Sequence, residues 1–306
     1  MRKKLLIPTA IFFMFFTYSC KENIKSSSLS ESNIASLTNK ADSLYKIGEL
    51  KLAISVYRKI HNNGFYKNND YKLAKAYALS YNKDSAYYFL EIAAPIDSGF
   101  YQLYGGEFIS MINDDRWDKI LSMKLNNYQA KFGKFNNPDL AKRLFNMRIK
   151  DQSYYYYFNI YPDSISHYWD IKIPLNNDNL VDFEKIVDKY GWPKKSDVGS
   201  EIAPTAFLIV QHTMELKNMR KYYSYLKNAV EHNEASKNEL ALLTDRINIR
   251  EGKKQIYGSQ ISFDSIQKVY YLGNVKDPEN LNKRRAEVGM QPIEEYLKNW
   301  NAELRI

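Results

Sequence analysis

Cysteine is almost absent from this chain: Cys20 is the one copy in 306 residues. An intramolecular disulfide is therefore excluded, as is any centre that needs two thiolates. Histidine is scarce, with four copies and no H-x-x-x-H spacing, so no metal-ligand pattern is present. Glycine (12) and proline (9) are few. Gly105-Gly106 lacks the strand–loop–helix setting and following lysine of a phosphate loop, and there is no G-x-S-x-G nucleophile elbow. No cofactor is expected from these patterns. Basic residues outnumber acidic ones, 44 against 35, for a formal charge of +9. Yet lysine and arginine are interleaved with acids and never form a block of five or six, so the surface does not read as a nucleic-acid footprint.

The N-terminus holds a short leader. Arg2, Lys3 and Lys4 precede an apolar run of 12 residues, Leu5 to Phe16, which is short of the roughly 20 needed to span a bilayer. Thr17-Tyr18-Ser19-Cys20 closes it. This stretch resembles the lipobox of bacterial lipoproteins. The resemblance implies a signal peptide over residues 1–19, cleavage before Cys20, a diacylglycerol thioether on its sulfur and acylation of the new amino group. Two or more acyl chains hold a protein stably on a membrane. Loss of the leader would take the formal charge from +9 to +6, since it carries three of the cations. The expected location is the bacterial cell envelope, lipid-anchored and at the outer membrane, because Lys21 rather than aspartate follows the cysteine. Lys21-Glu22-Asn23 loosely resembles the lysine-plus-acid tag of some Bacteroidetes surface lipoproteins. The alternative for Cys20 is an ordinary thiol beside a cleaved secretory signal.

Residues 20–36 are polar and serine-rich and read as a flexible tether. Residues 37–126 read as helical hairpins. Leu37, Ala41, Leu44, Tyr45, Ala53, Tyr57 and Ile60 recur at helical spacing around Gly48. The pattern A-x-x-L-Y, G, A-x-x-x-Y resembles a tetratricopeptide repeat. A second hairpin sets Leu73, Ala74, Tyr77 and Ala78 against Ala86, Phe89, Leu90 and Ala93, and a degenerate third contains Phe108, Trp117, Ile120 and Leu121. Two to three units are near the minimum for a stable stack, so the array should lean on its neighbour and could offer a surface to a protein partner. A generic helical bundle is the alternative.

Asn136-Asn137-Pro138 marks a boundary, and 138–306 reads as an α+β domain. A helix starts near Pro138. Residues 154–175, rich in aromatic and β-branched residues, suggest a short strand or two. Residues 179–190 are an amphipathic helix stopped by Gly191-Trp192-Pro193. Residues 202–214 are almost wholly apolar and read as a buried helix. A further helix spans 219–232, and Ser236-x-x-Glu239 is a capping box opening the next. Residues 255–263 and 268–272 alternate as a β-hairpin, and helices follow Asp277-Pro278 and run from Ile293 to Leu304. The fold class is thus mainly α, α+β overall, with helical-hairpin repeats followed by a helical domain carrying a small β-hairpin.

The polar residues of this second domain form a recognisable series. It runs DQ (Asp151, Gln152), GWP (Gly191 to Pro193), Val198-Gly199, LIVQH (Leu208 to His212) and TDR (Thr244 to Arg246). EGKKQIYGSQ (Glu251 to Gln260), DPEN (Asp277 to Asn280) and RRAEVGMQPIEEY (Arg284 to Tyr296) complete it. In order and spacing this resembles a bacterial family of uncharacterised function, over roughly residues 138–300. The tyrosine-rich run after Gln152 departs from it, since such proteins carry an arginine and a shorter link there. The resemblance implies a domain and no reaction.

The chemistry must be read from the residues. His212 with Asp245 or Glu251 would form an acid/base pair, since a carboxylate orients an imidazole and raises its basicity. The competing reading is a buried neutral histidine bonded to backbone. Asp245 and Arg246 are helix neighbours that cannot face each other, which suits a structural network as well as a site. If residues 255–260 are a strand, Gln255, Tyr257 and Ser259 share one face. With Trp192, Gln211, Arg246 and Gln260 they would suit a sugar or peptide ligand. Ser259 is the least unsuitable nucleophile. Two functions are then open: a membrane-anchored binding module, or an envelope hydrolase acting through His212 on glycan or peptide.

Overall fold

A computed structural model of the protein describes residues 29–64, 66–160 and 168–305. The leader and Cys20, and with them the expected anchor, lie outside these residues. The chain is mainly helical with one small sheet, as its patterning implies. Four helices build the N-terminal unit: α1 (Glu31–Lys46), α2 (Leu50–His61), α3 (Lys67–Leu79) and α4 (Lys83–Ala93). They form two antiparallel hairpins in a repeat-like stack. The first turns at Gly48, whose φ of 80° permits the tight reversal, and the second at Tyr81, also in the left-handed region. Ala41, Ala53, Ala74 and Ala86 are fully buried, and these small side chains let neighbouring helices approach closely.

The third unit is degenerate, as its sequence suggests. Three short 3-10 turns lead into α5 (Asp115–Phe132), where Trp117, Ile120, Leu121 and Leu125 are buried. The stack also leans on the C-terminal half of the chain. The turn at Gly106–Phe108 lies against α6 (Pro138–Ile160), and Arg148 of α6 stacks 4.0 Å over the Tyr104 ring. One apolar core runs without a break from Ala41 in α1 to Leu243.

The second half continues with α7 (Tyr168–Tyr190), α8 (Lys195–Val198), α9 (Pro204–His212), α10 (Leu216–Glu231) and α11 (Lys237–Arg250). Asn137 caps α6 through its Oδ1, 3.0 Å from the Leu140 N–H. The Ser236–Glu239 capping box opens α11 as expected. Beyond α11 come β1 (Ser262–Asp264), β2 (Val269–Leu272), α12 (Leu281–Glu287), α13 (Ile293–Trp300) and β3 (Ala302–Leu304). β2 is central, antiparallel to β1 and parallel to β3. This small lobe has its own apolar centre of Leu272, Val275, Leu281 and Ile293.

Four expectations are corrected. The segment 20–36 is not wholly tether: α1 already begins at Glu31, capped by Ser30, and Ile34 packs on the core. Where residues 154–175 suggested strands, α6 extends to Ile160 and α7 starts at Tyr168, with Pro174 inside it. Aromatic content favours strands only weakly, and here it loses to a helical face that buries Leu144, Phe145, Met147 and Tyr154. The first hairpin strand is only Ser262–Asp264, because the chain makes a single bridge from Gln255 to Val275 and residues 256–261 then wrap around a buried carboxylate. The last helix stops at Trp300, where Asn301 takes a left-handed conformation and the chain returns to the sheet.

Candidate functional site

The apolar helix α9 exists to be buried, and its C-terminal end is where the polar residues gather. A helix leaves its last carbonyls without intrahelical partners. Here side chains supply them: Asn176 of α7 donates its Nδ2–H to the His212 carbonyl at 2.9 Å, and Arg246 of α11 donates to the Gln211 carbonyl at 2.8 Å. A guanidinium at this end also complements the helix dipole. The backbone that carries His212 is thereby fixed from two sides.

The imidazole is fixed as well. Its Nδ1 lies 2.7 Å from Oδ1 of Asp151 on α6. The other carboxylate oxygen of Asp151 accepts from Gln152 Nε2 at 2.6 Å. Asp151 is 1 % exposed, and the His212 side chain 12 %. A carboxylate accepts only, so Nδ1 carries the shared proton, and Nε2 is the nitrogen left for chemistry. Nε2 makes no hydrogen bond among the described residues. Lys172 of α7 adds a second cation, its Nζ 4.8 Å from the centre of the Tyr154 ring. Burial draws the Lys172 ammonium below its ordinary value; Asp151 opposes that shift and Arg246 adds to it.

A family model described as a family of unknown function, DUF6624, matches residues 138–303. The chain belongs to the DUF6624 family. No curated protein and no solved structure matches it. The Asp151–His212 pair and every residue around it lie within the DUF6624 domain, and the repeat-like unit lies outside the matched region.

The carboxylates expected beside His212 are engaged elsewhere in the DUF6624 domain. Asp245 is fully buried on α11. Its Oδ1 accepts from the N–H of Ile256 at 2.6 Å and of Tyr257 at 3.1 Å, and its Oδ2 from Ser259 N–H at 2.9 Å. Burial holds this carboxyl above its ordinary value, and the donors of Tyr257, Ser259 and Ile256 oppose the shift. The carbonyls of the same loop are clamped from the other side. Arg284 takes Ile256, Arg285 takes Tyr257, and the Tyr296 hydroxyl takes Ser259, at 2.8, 2.6 and 2.8 Å. Glu251 faces Lys253 (2.6 Å) and Arg220 (2.8 Å), which hold its carboxyl below the usual range, Lys253 most strongly. Neither acid pairs with His212.

The remaining candidates divide. Gln211 and Arg246 belong to the His212 end of α9, and Gln260 accepts from Arg246 Nε at 3.0 Å, joining the 255–260 loop to that end. Gln255 is buried and spent on its own loop: Oε1 accepts from Gln260 N–H, and Nε2 donates to the carbonyls of Gln260 and Gly273. Tyr257 contributes its backbone to the Asp245 clamp. The alternating face expected for Gln255, Tyr257 and Ser259 does not form. Trp192 is buried edge-on against Phe183, with ring centres 5.7 Å apart. Asp151, Lys172 and Asn176 were not among the candidates, although Asp151 opened the motif series. Among the described residues no group of three His, Cys, Asp or Glu side chains is placed to hold a metal ion, and no helix is long and apolar enough to cross a membrane.

Proposed function

We propose that the protein is a lipid-anchored module of the bacterial cell envelope, held at the outer membrane through Cys20, that binds a ligand at His212 of its DUF6624 domain. One observation carries the ligand reading: an imidazole oriented by a buried carboxylate at 2.7 Å, with Nε2 left over and the side chain still reaching solvent. With its proton on Nδ1 toward Asp151, the ring presents Nε2 as an acceptor for an O–H or N–H of the ligand. The lipobox resemblance supports the anchor, and the resemblance of the N-terminal hairpins to tetratricopeptide repeats supports a protein partner on that unit. No nucleic acid is proposed as a partner.

The same pair favours a second reading, an envelope hydrolase in which His212 is the general base and Asp151, rather than Asp245 or Glu251, orients it. Nε2 would take a proton from water as the water oxygen attacks the substrate carbon of a glycan or peptide. The C–O or C–N bond to the leaving group then breaks, and the imidazolium gives that proton to the leaving oxygen or nitrogen. Nδ1–H keeps its hydrogen bond to Asp151 throughout. A panel of envelope glycans and peptides, tested for binding and for turnover, separates the two. Binding without turnover that His212→Gln removes supports the module. Turnover lost in both His212→Gln and Asp151→Asn supports the hydrolase. A panel result indifferent to both variants sinks the site. Retention of Cys20→Ser in the membrane fraction would sink the anchor.

A further inference from the structure

The G-W-P segment, which the His212 site leaves unused, lines a separate cleft. α7 ends at Tyr190, and Gly191 reverses the chain with φ +74° while its N–H closes on the Val187 carbonyl. Trp192 then turns inward and forms the floor. α10 lies opposite, and its residues Ser224, Tyr225 and Asn228, with the C-cap His232, follow one another at helical spacing along one face. The space between is about 710 Å³, within the range of small-molecule sites. It shares no residue with the Asp151–His212 pair.

Its chemistry is specific. Tyr190 and Tyr225 stand at the rim 40 % and 42 % exposed. Lys189 Nζ lies over one face of the Tyr190 ring, 4.8 Å from its centre, and Tyr225 packs against Tyr222, which leaves part of each ring open to solvent. The Asn228 amide and both tyrosine hydroxyls make no side-chain hydrogen bond among the described residues. His232 gives its Nδ1 to the Asn228 carbonyl at 2.8 Å, which puts the proton on Nδ1 and leaves Nε2 as an acceptor. Lys194 and Glu234 at the edge are of opposite sign, so the formal charges of the residues that line the cleft balance, with Lys189 outside it behind the Tyr190 ring. The backbone is closed too: the N–H groups of His232, Asn233 and Glu234 bond to the carbonyls of Asn228, Val230 and Ala229. An extended peptide would find no strand edge there.

From this combination we infer that the cleft between Tyr190 and Tyr225 is a binding site for a neutral sugar, including N-acetylated sugars. A pyranose has an apolar C–H face that packs on an aromatic ring, and a rim of hydroxyls that both donate and accept. The rings, amide, hydroxyl and imidazole of the cleft match that division of surface.

The test is calorimetric titration of the detergent-solubilised full-length protein with β-1,4-linked tetramers of N-acetylglucosamine and of glucose. Saturable binding of one of them is expected, weakened at least about tenfold by Tyr225→Ala and by Asn228→Ala. Both positions are exposed on α10, so the fold should survive, which an unchanged melting curve verifies. Tyr81→Ala, on the exposed turn of the second hairpin, should leave binding intact. No binding of either tetramer overturns the inference, as does binding that both α10 variants leave at full strength. Binding lost in His212→Gln and kept in Tyr225→Ala would also overturn it, by assigning the sugar to the other site. An inert His212 would sink the function proposed for that site and leave this cleft standing.

Discussion

Asp151 and His212 are 61 residues apart in sequence and 2.7 Å apart in space. They are carried by different helices, and the contact closes α9 onto α6. Removing the imidazole leaves a carboxylate that is 1 % exposed with Gln152 as its remaining hydrogen-bond donor among the described residues and Lys172 as a nearby cation. Loss of one partner of a buried pair costs about 3 kcal/mol. His212→Ala should therefore destabilise the protein by about that amount in urea unfolding, and Asp151→Asn should recover part of it in the double variant. Strictly additive single and double variants would mean the two side chains are not energetically coupled.

Asp245 is a structural acid. Three N–H groups of one loop, from Ile256, Tyr257 and Ser259, converge on it, and the loop between α11 and β1 is wound around its carboxylate. Asp245→Ala leaves those donors buried without an acceptor, at about 1–3 kcal/mol each in desolvation if none finds water. Hydrogen exchange should show the three amides losing protection while those of α9 keep theirs. Protection unchanged at Ile256 and Tyr257 would contradict the clamp.

These two acids show how far the sequence could be read. The helical stripes from Leu37 to Leu243, the Ser236 capping box and the stop at Gly191 are local features, so spacing and cap chemistry revealed them. His212 stood out because it interrupts an apolar helix. Its partner did not, because Asp151 sits three helices upstream and nothing local joins them. Asp245 looked available for the opposite reason: its partners are backbone groups, which leave no side-chain signature. The alternation at Gln255, Tyr257 and Ser259 imitates a strand, yet Gly258 at φ +62° bends the segment around Asp245. Local alternation cannot distinguish a strand from a loop wound on a buried charge.

Gly106 marks a close approach between the repeat-like unit and the DUF6624 domain. A methyl group built there would lie 2.2 Å from Ser153 Cα and 2.5 Å from its backbone nitrogen. Backbone atoms cannot swing aside as a side-chain tip can. Gly106→Ala should thus cost about 3 kcal/mol by forcing the turn away from α6. Thermal unfolding measures it; a variant as stable as the parent would show that this junction yields freely.

The N-terminal unit should respond to pH in two opposite ways. Glu107 is buried, with Tyr45 donating to Oε1 at 3.1 Å, Lys75 at 3.7 Å, and Oε2 unbonded among the described residues. Burial raises its pKa above 4.5, and Lys75 only partly offsets that. The folded state then holds the proton more tightly than the unfolded chain, so this stability is complete below pH 4.5 and is lost as pH rises through the folded value. Asp97 behaves in the reverse sense. Burial pushes its pKa up, but the bonds from Lys124 and Lys67 outweigh this and hold it below 3.8. Its contribution is present above pH 3.8 and is lost as pH falls through the folded value. Urea midpoints from about pH 3 to 8 should separate the two. Glu107→Gln should flatten the decline above pH 4.5. Asp97→Asn should remove the acid-side loss and, by leaving the fully buried Lys124 charge with neutral acceptors such as the residue-97 carbonyl and the Tyr71 hydroxyl, cost about 3 kcal/mol at neutral pH. A Glu107→Gln profile parallel to that of the parent above pH 4.5 would show that this carboxyl titrates as it does in the unfolded chain.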